Sequence, residues 1–299
     1  FTKNFDDVVP SASIGYKLTD MSNLRLGYNM RIYRPGIWYL NPYLNDTDPS
    51  YISQGNSELD SEKSHAFNLS YSNFTQKFNI NLSARYSFTN NSIENVTKLM
   101  PDTEIEGLKN PTGKDVLYST YANIGKTRRA SVSAYVNWNA TPRTRIYMNM
   151  SGDYSYMEGS EGMRNDGWSL FAYGGAQQTL PHDWRISLNV FGQTPWIMLQ
   201  GKGSSFFDYG LSVNKSFLNK RLTLSAFASN FFKKYMDQSS TTEGAGFIRE
   251  SSYKYSRQRF GISVSYRIGE LKASVKKAAR TISNDDVKSG GSGSGGGGE

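Results

Sequence analysis

The side chains best placed for chemistry are charged groups set inside alternating segments. Arg25, Arg31, Arg85, Arg145 and Arg185 fall in phase with Asn and Ser, and Asp153 and Asp208 share that phase. Such groups can guide an anionic solute without any covalent step, or bind one another in networks that hold a wall in shape. Trp38, Tyr39 and Tyr43 lie in a long connection. There they can stack on a sugar, a peptide or a chelate, or pack the loop against its neighbours. Asp46 and Asp48 lack the Gly and distal Glu of a calcium loop. His65 and His182 are the only two histidines and Cys is absent, which leaves no ordinary zinc set. His182 sits beside Pro181 in a short turn and reads as solvated. Nucleophile elbow, P-loop and dinucleotide fingerprint are all missing, so no catalytic residue, metal or cofactor is expected.

The elements that carry these groups read as β-strands. Phe78, Ile80, Leu82, Ala84, Tyr86 and Phe88 alternate with Asn79, Asn81, Ser83, Arg85 and Ser87. Leu24 to Ile32, Trp184 to Val190 and Phe260 to Ile268 repeat the pattern. Successive strand side chains point to opposite faces, so each segment has one apolar and one polar side. About eleven segments follow, at roughly 8–18, 23–34, 65–73, 77–92, 116–138, 143–157, 167–179, 184–199, 205–217, 221–236 and 248–268. Around Phe171 and Phe227 bulky residues fall on both sides. Helical periodicity begins only after Gly269.

Totals narrow the class. The chain of 299 residues is 14% aromatic, too rich in rings for a disordered chain, yet its mean hydropathy is low. No run approaches the ~18 apolar residues of a spanning helix, a test that half-apolar barrel strands escape. The net charge of +8 is spread along the chain rather than clustered, which argues against nucleic acid as a partner. The start at Phe1-Thr2-Lys3 reads as a mature or truncated product.

Connections alternate short and long. Those near 20–22, 74–76, 139–142, 180–183 and 218–219 are tight. Those near 35–64, 93–115, 158–166, 200–204 and 237–247 are longer and rich in Gly, Asp, Asn, Thr and Pro. Phe78, Trp138, Trp184 and Phe217 each lie near a short turn, in phase with the apolar side. Aromatics lined up at one end suit an interface girdle, since each ring pairs an apolar body with an interfacial preference. A soluble β-sandwich or secreted binding module is the competing reading. It would need protected edges and a more Lys/Glu-rich surface than these Asn, Ser, Thr, Gly and Arg faces offer. An all-β antiparallel transmembrane barrel meander over residues 1–268 is therefore expected. Its long loops would be extracellular, and a basic, then Gly/Ser-rich, periplasmic tail would occupy 269–299. The final strand should end on the short-turn side. Counting back, the first runs the same way, so a strand is expected before Phe1. Eleven is about half of a 22-stranded plugged barrel.

The run Gly55-Asn56-Ser57-Glu58-Leu59-Asp60-Ser61-Glu62 resembles the Gly-Asn-Pro-x-Leu-x-Pro-Glu signature of TonB-dependent receptors, with Ser57 and Ser61 standing in place of proline. Arg34-Pro35 through Leu40-Asn41-Pro42-Tyr43, and the tail from Leu271 to Asp286, are similar to Bacteroidetes members of that family. The resemblance implies nutrient import across the cell outer membrane. Its implied partners are outer-membrane lipid, an N-terminal plug, the TonB complex, the barrel assembly machinery and a possible surface lipoprotein. A passive or structural barrel without a plug is the alternative.

Overall fold

A computed structural model describes residues 7–269 and 287–288. In chain order the first strands are β1 (Ser11–Lys17), β2 (Ser22–Pro35), β3 (Asn45–Asp48), β4 (Tyr51–Ser53), β5 (Glu62–Phe74) and β6 (Phe78–Pro101). Then follow β7 (Asp115–Thr141), β8 (Thr144–Glu158), β9 (Arg164–Leu180), β10 (Trp184–Gln193), β11 (Ile197–Met198) and β12 (Gly201–Lys202). The last are β13 (Phe206–Phe217), β14 (Leu222–Ser229), β15 (Tyr235–Gly244), β16 (Phe247–Ser256), β17 (Arg259–Tyr266) and β18 (Val287–Lys288). One short helix, α1 (Ile37–Leu40), lies in the β2–β5 connection.

Eleven strands make the wall, in the order β1-β2-β5-β6-β7-β8-β9-β10-β13-β14-β17, each antiparallel to its sequential neighbour. The expected meander is thus present, with β1 and β17 at its edges among the described residues. Tight turns close one end. His182 and Asp183 both take positive φ, 59° and 58°, the primed geometry that matches the twist of a hairpin.

The alternation is a true two-faced pattern. Leu26, Leu69, Ala84, Val132, Gly152 and Leu170 form a cross-strand row, and Leu82, Ala134, Met150 and Ala172 the next. These apolar rows are largely exposed, with Val132 at 66%, Leu170 at 53% and Leu26 at 53%. No second layer covers them among the described residues, so a sandwich core is excluded. Phe78, Trp138, Trp184 and Phe217 are exposed on this same face at the short-turn end, and Phe78 stands directly opposite Trp138.

What core there is lies at the long-loop end. Three small clusters gather there: Tyr39, Leu59 and Ile93; Ile52, Ile105 and Val116; Met157, Ile197 and Leu199. The run from Gly55 to Glu62 knits the first. A Cβ on Gly55 would strike the backbone of Tyr39 and Asn41, so only glycine fits. The Asn56 amide Nδ2 donates to the Tyr121 carbonyl at 2.8 Å, Leu59 is 1% exposed, and Glu62 accepts from the Ile93 N–H.

Several boundaries differ from the sequence reading. Strands β6 and β7 run on to Pro101 and from Asp115, so the loop expected at 93–115 shrinks to 102–114. Burial of Ile93, Val96 and Val116 in the loop layer extends them. The segment expected as one last strand, 248–268, is two. The part β16 pairs with β15 in a hairpin outside the wall, and only β17 joins β14. Likewise the strand expected at 221–236 stops at Ser229, where Asn230 turns the chain at φ 50°. The expected tail lies outside the described residues apart from β18, which pairs in parallel with Arg34–Pro35 at the long-loop end of β2.

Asp102 closes the β6–β7 loop by accepting from the Thr112 and Gly113 backbone N–H groups and the Thr112 hydroxyl. The Thr112 backbone bond foremost holds its carboxyl below the ordinary 3.8. A depressed carboxylate stabilises the fold above the unfolded value, and that contribution is lost as pH falls through the folded one. Hydrogen exchange at Thr112 and Gly113 should therefore accelerate on acidification below 3.8 and not between neutrality and mild acid. Asp102→Asn should remove the dependence.

Candidate functional site

The seven charged residues singled out by phase all lie on the face opposite the apolar rows, at different heights. Arg85 stands opposite Asn68 and Ser131, and Asp153 opposite Ser131 and Ser169, in one row. Arg31 lies near the long-loop end opposite Ser64, and Arg25 lies lower, opposite Ser70. Arg145 and Arg185 are near the short turns, where the Arg145 Nε donates to Asn137 Oδ1 at 2.7 Å. Asp208 is apart from these. It accepts from Asn230 Nδ2 at 2.6 Å and pairs with the Arg257 guanidinium at 2.5 Å.

A recess forms where β5, β6, β7 and β8 pass beneath the loop layer. Its cavity of about 520 Å³ is lined by Glu62, Arg85, Glu94, Arg129 and Asp153, with Ser and Thr hydroxyls between them. Pairing sets the arrangement. Ser131 Oγ donates to Asp153 Oδ1 at 2.5 Å, and one step higher Arg129 Nε donates to Ser155 Oγ at 3.2 Å. Ser92 and Thr127 hydroxyls meet at 3.1 Å above them. Tyr39 is buried nearby in the loop layer, beside Leu59 and Ile93. Burial foremost, then the neighbouring Tyr121, Glu62 and Glu94, push its phenol up to about 12. Three carboxylates and two guanidiniums make a mixed-sign, hydroxyl-rich surface suited to many weak, reversible hydrogen bonds.

Three of these residues, Glu62, Glu94 and Arg129, were not singled out in the sequence. Arg129 keeps the phase of Ser131 and Ser133, which is a usable signal. Glu62 closes the Gly-Asn run. Glu94 lies beyond a register shift between Thr89 and Ile93 that breaks the phase, so no periodicity could have assigned it. Of the loop aromatics, Trp38 and Tyr43 are 68% and 71% exposed, while Tyr39 is buried edge-on against Tyr121 at 4.5 Å. Tyr39 thus packs the loop. The polar face also carries Tyr147, Phe171, Tyr173, Phe191 and Phe206. The Tyr147 ring crosses Gly175, where a Cβ would meet it, and its hydroxyl donates to Asn189.

A model described as the outer membrane protein beta-barrel family matches residues 1–266. No curated protein matches the chain. Among solved structures, the siderophore receptor PirA from Pseudomonas aeruginosa aligns with 76% of the chain and 39% of its own length, at 17% identity and TM-score 0.55. A mutant of the ferric enterobactin receptor PfeA from the same organism aligns over 86% of the chain and 40% of its own length, at 16% identity and TM-score 0.54. The copper transporter OprC does so over 86% and 40%, at 14% identity and TM-score 0.57. The shared property is the fold. The chain spans about two fifths of the length of these solved proteins.

The Asp208 cluster ties the β15–β16 hairpin to the wall, because Asn230 and Arg257 flank that hairpin. Asp208→Asn should cost about 1.5–3 kcal/mol of local stability through the lost charged hydrogen bond. Protease cleavage within 231–256 should then quicken, while cleavage in the 36–61 loop stays unchanged.

Proposed function

The chain belongs to the outer membrane protein β-barrel family; on that premise we propose that it forms the C-terminal part of a TonB-dependent receptor that imports a nutrient across the outer membrane. The observation that carries the reading is the single-layer wall with exposed apolar rows on one side and Ser, Asn and Arg on the other. Spacing supports it. Ten residues separate Phe78 from Phe88 on β6, and ten separate Trp138 from Arg128 on β7. At ~3.4 Å per residue and a tilt of about 40°, that is ~26 Å of height, close to the ~25 Å apolar band of such barrels.

In this reading the short turns face the periplasm and the loop layer faces outward. The polar face lines the lumen, where a plug from the rest of the protein sits and the TonB complex supplies energy. The recess around Arg85, Arg129, Asp153, Glu62 and Glu94 lies just under the loops and meets a solute on its way in. Its mixed signs favour a polyhydroxylated or zwitterionic solute over a simple anion. Passage is non-covalent and asks for no catalytic group. The solved relatives are titled for siderophore, ferric enterobactin and copper, so they do not single out one cargo.

These 299 residues hold no Cys, so single cysteines placed here in an otherwise Cys-free background report cleanly. In the full-length protein, Leu82→Cys and Val132→Cys should react with lipid-phase reagents. Ser83→Cys and Ser133→Cys should react only with water-soluble ones. The reverse pattern would sink the orientation. A strain lacking the gene should lose growth on one nutrient of a sole-source panel, and a strain lacking TonB should lose it equally. Growth that survives loss of TonB would instead favour a passive barrel.

A further inference from the structure

On the apolar face, just above the band, two arginines lie flat on aromatic rings. Arg128 on β7 stands directly opposite Phe88 on β6 and Tyr156 on β8. Its guanidinium carbon is 5.4 Å from the Phe88 ring centre, and that of Arg164 on β9 is 4.8 Å from the Tyr156 ring centre. Bonds from Arg128 to the Thr89 and Thr127 carbonyls and to Asn90 Oδ1 fix its direction. Arg164 is exposed and makes no hydrogen bond or ion pair among the described residues.

The nearby carboxylates are already engaged. Glu158 pairs with Lys126 at 3.4 Å and accepts from the Tyr156 hydroxyl, and Asp166 accepts from the Tyr154 hydroxyl at 2.7 Å. Among the described residues neither Arg128 nor Arg164 forms an ion pair, though Glu158 stands opposite Arg164 in the ladder.

Below Arg128 the β7 side chains on this face are small. Ala130, Val132 and Ala134 follow at alternate positions. They are flanked by Tyr86, Ala84 and Leu82 on β6 and by Tyr154, Gly152 and Met150 on β8. Tyr86 and Tyr154 thus stand on either side of a trough floored by Ala130, with Trp168 packed on Tyr154 at 5.4 Å. Two strand spacings put the flanks about 10 Å apart, room for roughly one acyl chain.

We infer that this rim and trough form a binding site for a bis-phosphorylated lipid of the surrounding leaflet, one phosphate on Arg128, the other on Arg164, and one acyl chain over Ala130 and Val132. The inference rests on the reading that the apolar face meets lipid. Guanidinium groups match phosphate oxygens in charge and fork geometry, and the stacked rings hold those groups at headgroup height. The trough lets a chain lie against the wall with its head already at the cations, which a soluble phosphate cannot exploit.

The full-length protein in detergent should be mixed with bis-phosphorylated lipid A, with its dephosphorylated form, or with inorganic phosphate, and bound adducts counted by native mass spectrometry. Wild type should retain the phosphorylated lipid, and retain the dephosphorylated form and free phosphate far less. Arg128→Gln with Arg164→Gln should lower retention at least about tenfold, two charge-assisted contacts being lost. Val132→Trp, which fills the trough and leaves both cations, should also lower it. Heat-modifiable gel mobility reports whether each variant has folded. Equal retention of the two lipid forms, or retention unchanged in both variants, overturns the site. A protein that stays monodisperse without detergent would overturn the membrane reading itself, a separate result from failure of lipid binding.

Discussion

A strand in hydrocarbon has no water to turn to, so every backbone N–H and C=O must find its partner on a neighbouring strand. Most of this fold follows from that constraint. Between the short turns and the level of Phe88 the ladders run from β1 to β17 without a bulge. The register shifts in the wall lie at its margins, between Asn139 and Thr141 beside a turn and between Thr89 and Ile93 above the rim. A bulge leaves an amide unpaired, which is cheap near water and costly inside the band. The upper bulge also has a use. It turns Ile93 into the cluster with Tyr39 and Leu59, and its freed N–H goes to Glu62.

The same constraint explains where the core is. A one-layer wall buries little of its side chains against protein, so apolar burial of the usual kind is left to the loops. There the connections lie over one another. Gln200 bonds both the N–H and the C=O of Thr97 as a strand would, and Arg249 sits 3.9 Å above the Tyr51 ring. The loops thus brace each other and the recess below them. Its hydroxyls and charges are positioned by strand pairing from below and by Glu62 from above.

What could be read in the sequence was whatever obeyed period two. Leu82, Ser83, Ala84 and Arg85 announce their sides because a strand has no choice about them. The short turns were legible for a related reason, since two or three residues must reverse the chain. Three things broke the rule. Strand β15 is polar from Asp237 to Glu243 and so reads as loop, β16 reads as continuous with β17, and periodicity says nothing about which sheet a strand joins. From Ile93 to Pro101 the residues look polar enough for a loop, although Ile93 and Val96 bury themselves and the strand runs on. Glu94 follows a phase break. For the recess, Arg85 and Asp153 were visible as polar-face residues. Their meeting with Glu62 needed the loop layer, a long-range arrangement that local pattern does not encode.

A wall without a core must still resist shearing, and its polar face supplies what the apolar side cannot. Side chains clasp across strands at successive heights: Ser83 with Ser133 at 2.6 Å, Ser131 with Asp153, Arg129 with Ser155. Each is worth only about 0.5–1.5 kcal/mol, or somewhat more with a charge, yet each also fixes a register that a one-residue slip would destroy. Where β9 and β10 carry glycine and bulky residues in place of such pairs, aromatic contact takes over. Tyr147 lies across Gly175 to Asn189, Phe171 meets Phe191 at 5.3 Å, and Phe191 meets Phe206 at 4.6 Å. These rings cover one another, so they add apolar cohesion to a polar face without requiring a second sheet. The charged residues of that face therefore serve two ends at once. Those clasped to a neighbour, such as Asp153, hold the wall in register, and the same clasp fixes the height at which they stand on that face.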